Sequence, residues 1–241
     1  MERPERIFLS IVKGEDKIVI EISTAWKSAF PEASFGILAI EGIANTRGHP
    51  GIEERKNSLE SKLRMAWQGK TRAEMRKAFP FEAYEMYFRG FGQGYPVLAQ
   101  LVSVALKGKP IFSPSALVSA MFMAELENGF LTAGHDLDRI HPPLRLEVAR
   151  GEETYQAMGG KECRLQERDM FLADGNGILS SVLYGPDNRT FITEGTSRAL
   201  FTVYGAPSIP GNVLREHLEA IETLVRVLSP KAVRTNLQVL P

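Results

Sequence analysis

Apolar and polar positions along the chain fall into two regimes. KIVIEIS (17–23) and SFGILAIEGI (34–43) are short, rich in Ile and Val, and bounded by Gly, Pro and charged residues, which predicts two strands. TAWKSAFP between them has room for a short helical turn ended by Pro31. The period then changes. Over 52–78, Ile52, Leu59, Leu63, Ala66 and Trp67 recur at helical spacing with charges on the opposite face. EAYEMYFRGFGQGYPVLAQLVSVALKG (82–108) begins with aromatics, breaks at Gly90–Gly94 and resumes as a helix from Pro96. SPSALVSAMFMAELENG (113–129) predicts a buried helix in which Met121, Phe122 and Met123 fill core space.

After residue 140 the pattern turns to β. LRLEVA (144–149), DMFLAD (169–174), GILSSVLY (177–184), RTFIT (189–193) and ALFTVYG (199–205) read as short strands. DGNG (174–177) and GPDN (185–188) are turn signals between them, because Gly, Asn and Asp tolerate positive φ. NVLREHLEAIETLVRVL (212–228) closes the pattern with a stripe of Leu214, Leu218, Ile221, Leu224, Val225 and Leu228, suited to packing on a sheet. Helices and mostly antiparallel strands are segregated, so the expected class is α+β. A single domain over 1–241 is expected, with an N-terminal α/β portion at 1–80 and a core at 81–230.

Composition narrows the function. The 241 residues suffice to bury roughly 70% of the unfolded surface without a staple. Cys163 is alone, which excludes an internal disulfide and a cysteine zinc site. Lys plus Arg and Asp plus Glu number 29 each, so no overall field attracts phosphate and any RNA contact must come from a local patch. The basic residues of 52–78, among them Arg55, Lys56, Lys62 and Arg64, are interleaved with glutamates, which favours a solvated helix face over an RNA-facing one. The charged start MERPERIFLSIVKGEDK does not resemble a signal peptide, and no apolar run reaches about 18 residues. A cytoplasmic location and no membrane partner are expected.

No phosphate-binding loop, dinucleotide fingerprint, H-E-x-x-H pair or G-x-S-x-G elbow is present. RGFGQGYP (89–96) follows an aromatic helical segment rather than a strand, so it reads as a connector or a substrate-lining turn. One stretch stands out. LTAGHDLDRI (131–140) sets His135, one of four histidines, beside Asp136 and Asp138. Its spacing fits no metal site, and no cofactor is expected.

From about residue 110 the order of features resembles the B3/B4 domain. That domain is the editing module of the β subunit of bacterial phenylalanyl-tRNA synthetase and also occurs in stand-alone proteins. The carriers are HDLDRI (135–140), LRLEVARGEETY (144–155), AMGGKE (157–162), FLADGNGIL (171–179) and the EGT of FITEGTSRAL (191–200). The resemblance covers roughly half the chain. It implies an α+β core with a β-sandwich of unusual topology flanked by helices. In the synthetase a cleft in this module hydrolyses tyrosine wrongly esterified to phenylalanine tRNA. That chemistry needs a positioned water, a group to orient it and donors for the developing oxyanion.

The resemblance also shows departures. The synthetase's histidine three positions before the aspartate is Ala133 here, and His135 replaces an aromatic residue. Phe122 stands for an asparagine and Leu131 for a proline, while the arginine of the following strand is shifted to Arg145.

Under the resemblance, the candidate catalytic residues are His135, Glu162 and Thr196, with His135 read either as a general base or as a loop histidine. The candidate substrate-binding residues are Asp136, Arg145, Gly159, Gly160, Asp174 and Arg198. Asp136 by default caps a turn, the two glycines permit a tight connection, and either arginine could instead form a surface ion pair. Two functions remain. One is a tRNA-binding protein that acts in trans on mischarged aminoacyl-tRNA, without aminoacylating. The other is a non-catalytic module that binds an amino-acid-like small molecule or a protein.

Overall fold

The structure, a computed structural model, describes the backbone of residues 5–13 and 16–240 and the side chains of residues 18–240. The chain opens with an antiparallel pair, β1 (Glu5–Lys13) and β2 (Asp16–Ile22). The Ser23 hydroxyl, accepting the Trp26 amide at 3.1 Å, then caps α1 (Thr24–Ala29). β3 (Phe35–Glu41) follows and is buried along all but its last residue.

The helical region splits more finely than the spacing over 52–78 predicts. α2 (Pro50–Ala66) stops at a turn containing Gly69, and α3 (Arg72–Arg76) restarts behind a Thr71–Glu74 capping box. Half of the eight basic residues of 52–78 are ion-paired among the described residues: Lys56 with Glu53, Arg64 with Glu60, Lys70 with Glu74 and, far apart in sequence, Lys62 with Glu127. The face is a solvated mosaic of both signs. α4 (Phe81–Arg89), α5 (Pro96–Ala105) and α6 (Ala116–Asn128) complete the layer, and α6 ends where Gly129 takes a φ of 78°.

LTAGHDLDRI, in which His135 could be a loop histidine and Asp136 a turn cap, is mostly strand. β4 (Thr132–Asp136) has all five residues buried and pairs antiparallel with β11 (Arg198–Tyr204), with His135 opposite Leu200 and Gly134 opposite Phe201. Only then does a 3-10 turn (Leu137–Arg139) follow. A short strand buried on both faces need not alternate in polarity, so the period-2 signal is missing and the tertiary partner decides. Conversely, RTFIT forms no regular strand. Phe191 makes one isolated bridge to His135, and the segment is held by the Asp187–Thr190 turn, with Asp136 N donating to Thr190 O at 2.6 Å.

The remaining strands are β5 (Leu144–Val148), β6 (Thr154–Gln156), β7 (Glu162–Arg164), β8 (Met170–Asp174), β9 (Gly177–Ser181), β10 (Gly185–Pro186) and β12 (Val233–Leu240). One sheet runs β1-β2-β5-β8-β9-β10, the second β12-β3-β11-β4, and β6-β7 form a separate hairpin. Among the described residues only β2–β5 is parallel; the other pairs are antiparallel. The two larger sheets share one buried cluster that includes Ile20, Leu146 and Leu172 of the first and Leu38 and Phe201 of the second. A hydrogen bond of 2.9 Å between Ser180 Oγ and the Tyr204 hydroxyl ties them through that core.

α7 (Gly211–Leu228) lays Leu214, Leu218, Ile221 and Val225, all fully buried, on the far face of the second sheet. The class is α+β, as the segregated pattern predicts. Contact between α7 and β3 is close enough to require glycine at position 36. A Cβ there would stand 2.7 Å from Val203 Cγ1 and 3.0 Å from Leu218 Cδ1. Gly36→Ala is therefore expected to lower stability by about 1–3 kcal/mol in urea unfolding. Gly48→Ala, at an exposed position with open space around it, should stay within about 0.5 kcal/mol.

Candidate functional site

The end of β8, the end of β4 and the segment 185–196 converge on a chain of polar contacts. Asp174 has no solvent exposure. Its carboxylate accepts the backbone amides of His141 (2.9 Å) and Asn176 (2.8 Å). It also accepts Nη1 and Nη2 of Arg189 at 3.0 and 2.9 Å. These four donors fill the lone pairs of a carboxylate removed from water. Arg145 Nη2 donates to the Asp174 carbonyl at 2.8 Å, which fixes the same corner from β5.

Arg189 faces a second carboxylate, with Nε 3.5 Å from Asp187 Oδ2. Asp187 Oδ1 accepts the Thr190 amide at 3.0 Å and also the Thr190 hydroxyl. Burial raises the Asp187 carboxyl above its ordinary value, against the opposing pull of Thr190 and Arg189.

Thr190 links this chain to His135, whose Nδ1 lies 2.8 Å from Thr190 Oγ1. Because the single hydroxyl proton of Thr190 goes to Asp187, His135 Nδ1 is the donor and Nε2 carries the lone pair. Nε2 is buried and has no hydrogen-bond partner among the described residues. Burial, reinforced by the Arg189 charge and opposed by Asp174, pushes the His135 value down to about 3. The ring is thus a neutral, sequestered group on a strand, not a loop histidine.

The other expected residues fall into three places. Asp136 caps the 3-10 turn by accepting Asp138 N at 3.0 Å and takes the Thr196 hydroxyl at 2.8 Å. Thr196 in turn accepts Thr193 N at 3.0 Å, so the pair closes the 193–196 loop onto β4. Arg198 stands apart in an ion-pair cluster with Glu41 (2.6 Å) and Asp138 (2.8 Å). Gly159 and Gly160, with φ of 86° and 79°, form the tip of the β6–β7 hairpin, and Glu162 is exposed on β7 opposite Gln156. His135, Glu162 and Thr196 therefore do not meet in one cleft.

The hairpin nevertheless closes over the Asp187 turn. Met158 N donates to Pro186 O at 3.0 Å, and Asn188 N to Gln156 O at 2.8 Å. A cleft of about 270 Å³ results, lined among others by Tyr155, Gln156, Asn176, Asp187, Asn188 and Arg189. Of the residues singled out in the sequence, Asp174 and Arg145 support this cleft from behind. Asp187, Asn188, Arg189 and Thr190 were legible there only as the turn signal GPDN and the start of RTFIT. Among the described residues no group of three or more His, Cys, Asp or Glu side chains is placed to hold a metal ion. No helix among them is long and apolar enough to cross a membrane.

Comparison with known proteins places the cleft in context. The family model described as the B3/4 domain matches residues 104–227, which include every lining residue of the cleft. A stretch of 69 residues is 32% identical to the phenylalanine–tRNA ligase beta subunit of Mycoplasma pneumoniae, covering 29% of this chain and 9% of that protein. The chain thus spans under a tenth of the length of that curated relative. Among solved structures, an N-terminal fragment of the phenylalanyl-tRNA synthetase beta subunit from Pyrococcus horikoshii superposes with a TM-score of 0.44. The identity is 14%, with 89% of this chain and 53% of that one covered.

The His135 value lies below the ordinary 6.5, so protonation favours the unfolded chain. Its contribution to stability is complete above about pH 6.5 and is lost as pH falls from there toward 3. In histidine-detected NMR, the His135 ring should show no titration between about pH 5 and 8. A midpoint near 6.5 would contradict the sequestered, neutral assignment.

Proposed function

The chain belongs to the B3/4 domain family, and on that premise we propose that it recognises the aminoacyl end of a tRNA in the cleft between the β6–β7 hairpin and the 185–190 turn. The observation that carries this reading is the fixed polar rim. Arg189 is held between Asp174 and Asp187, and Gln156, Asn176 and Asn188 line the cleft with it. Amide groups at these positions suit an aminoacyl ester, which offers an ammonium and hydroxyl donors together with carbonyl and hydroxyl acceptors. The cleft has the size of a small polar group, not of a nucleic-acid groove. The zero formal net charge agrees with a footprint confined to the terminal nucleotides.

A second reading, hydrolysis of the bound ester, is favoured by one specific feature: Asp187 lines the cleft and its carboxyl is raised by burial, as in groups that hold a water for attack. His135 is less suited to that role, because it is neutral, fully buried and absent from the cleft lining.

Filter binding with aminoacylated and deacylated tRNA separates these outcomes. Aminoacylated tRNA should bind at least about tenfold more tightly, and Asn188→Ala should remove most of the difference. Between 50 and 200 mM salt the affinity should fall only about sevenfold, as expected for two single-strand phosphates. Equal binding of charged and uncharged tRNA would refute the recognition reading. In the same samples, ester loss at the spontaneous rate would refute hydrolysis alone, whereas loss that Asp187→Asn abolishes would establish it.

A further inference from the structure

A second cavity, of about 770 Å³, shares no lining residue with the cleft. It opens where α4 meets the loops before β8 and after β11, so it combines residues that precede the family-matched segment with residues inside it. Its wall is aromatic: Tyr87 stands 6.0 Å from Phe30 and 5.0 Å from Phe91 between ring centroids. The Tyr87 hydroxyl is engaged inward, donating to Asp169 at 2.9 Å and accepting Met170 N at 2.8 Å, so the tyrosine offers the cavity only its ring. Phe79 and Met86, 60% and 68% exposed, stand at the mouth. Large apolar side chains exposed at the mouth of a cavity mark a surface suited to binding.

The rim carries two cations, Lys77 and Arg168, and neither ion-pairs among the described residues. Of the two carboxylates on the rim, Glu82 lies in the first turn of α4, where the free amides of the helix offset its charge, and Glu167 is exposed.

The backbone adds a separate observation. Among the described residues the two non-glycine positions with positive φ are Arg168 (73°) and Ser208 (75°), and both line this cavity. Glycine would adopt that conformation without strain, so an arginine there is retained against the local preference of the chain. Strain of this kind gathers at ligand clamps.

We propose that this cavity binds a small organic acid, with a flat apolar body against Tyr87, Phe91 and Met86 and its anionic group at Arg168 and Lys77. A volume of about 770 Å³ suits a ligand of two or three fused or linked rings. The forked, permanently charged guanidinium selects carboxylate or sulfonate over a neutral head.

The test uses the full chain and two fluorescent probes of similar shape, anionic 1-anilinonaphthalene-8-sulfonate and uncharged N-phenyl-1-naphthylamine. The sulfonate should bind saturably at one site and more tightly than the neutral probe. Arg168→Gly should melt at the same or a higher temperature, since it relieves the strain, yet lose at least about tenfold in sulfonate affinity with neutral-probe binding unchanged. Lys77→Met should weaken the sulfonate in the same direction, and Ala83→Trp, which fills the cavity, should exclude both probes. Unchanged sulfonate binding in Arg168→Gly would overturn the proposal. So would equal affinity of the two probes, binding that survives Ala83→Trp, or no saturable binding of the sulfonate up to about 1 mM.

Discussion

The carboxylate of Asp174 lies entirely out of solvent, and its pairing with the fork of Arg189 is the constraint on which this side of the molecule depends. Removing a carboxylate from water costs several kcal/mol, and an attraction of this kind offsets that cost only when the geometry is good and the remaining lone pairs are filled. Here all four contacts are supplied: two guanidinium N–H groups and the amides of His141 and Asn176. The amides come from the loop after β4 and from the β8–β9 turn, while the arginine comes from the segment after β10. A single side chain thus fixes its own turn at Asn176 and ties to it segments 33 and 15 residues away in sequence. Arg189 Nη1 also reaches the Arg139 carbonyl at 2.9 Å, tying the 3-10 turn to the same point.

The chemistry of the cleft follows from that anchor. With Arg189 committed to Asp174, its Nε faces Asp187, and Asp187 orders the Thr190 hydroxyl, which sets the tautomer of His135. The order of this chain makes His135 its inner end and the cleft its outer end, so the ring is enclosed in the fold while Asp187 and Asn188 line the cleft. The β6–β7 hairpin completes the outer wall with two backbone hydrogen bonds to Pro186 and Asn188. The anchor joins the two sheets as well, since Asp174 ends a strand of one and His135 lies on a strand of the other.

Much of this architecture is legible in the sequence, and the exceptions have physical causes. The stripe of α7 is read correctly because a helix packed on a sheet keeps one face apolar through 18 residues. β5, β8 and β11 are likewise clear from their Leu, Val and Phe content. β4 is hidden because Thr132, Ala133 and Gly134 are small and carry no alternation, and only their tertiary burial makes them a strand. β12 is hidden because VRTNLQVL is half-buried and pairs with β3, nearly two hundred residues away. At the site, Asp174 stands out as a turn aspartate within a family-like strand pair. Arg189 carries no such mark, since nothing local distinguishes an arginine that meets a carboxylate 15 residues upstream from one that meets water. DLDRI and GGKE carry the family likeness, whereas the cleft is lined in part by residues of GPDNR, which lies between them and the late threonine and bears no local mark of chemistry.

The most direct test of this account is a double-mutant cycle on Asp174→Asn and Arg189→Met, read as unfolding free energy in urea. Each single variant should lose about 2–3 kcal/mol. That is less than for a fully enclosed pair, because a third of the Arg189 side chain reaches solvent. The double variant should lose well under the sum, with a coupling of at least about 1 kcal/mol. Losses that simply add, within about 0.5 kcal/mol, would contradict the claim that this pair organises the site.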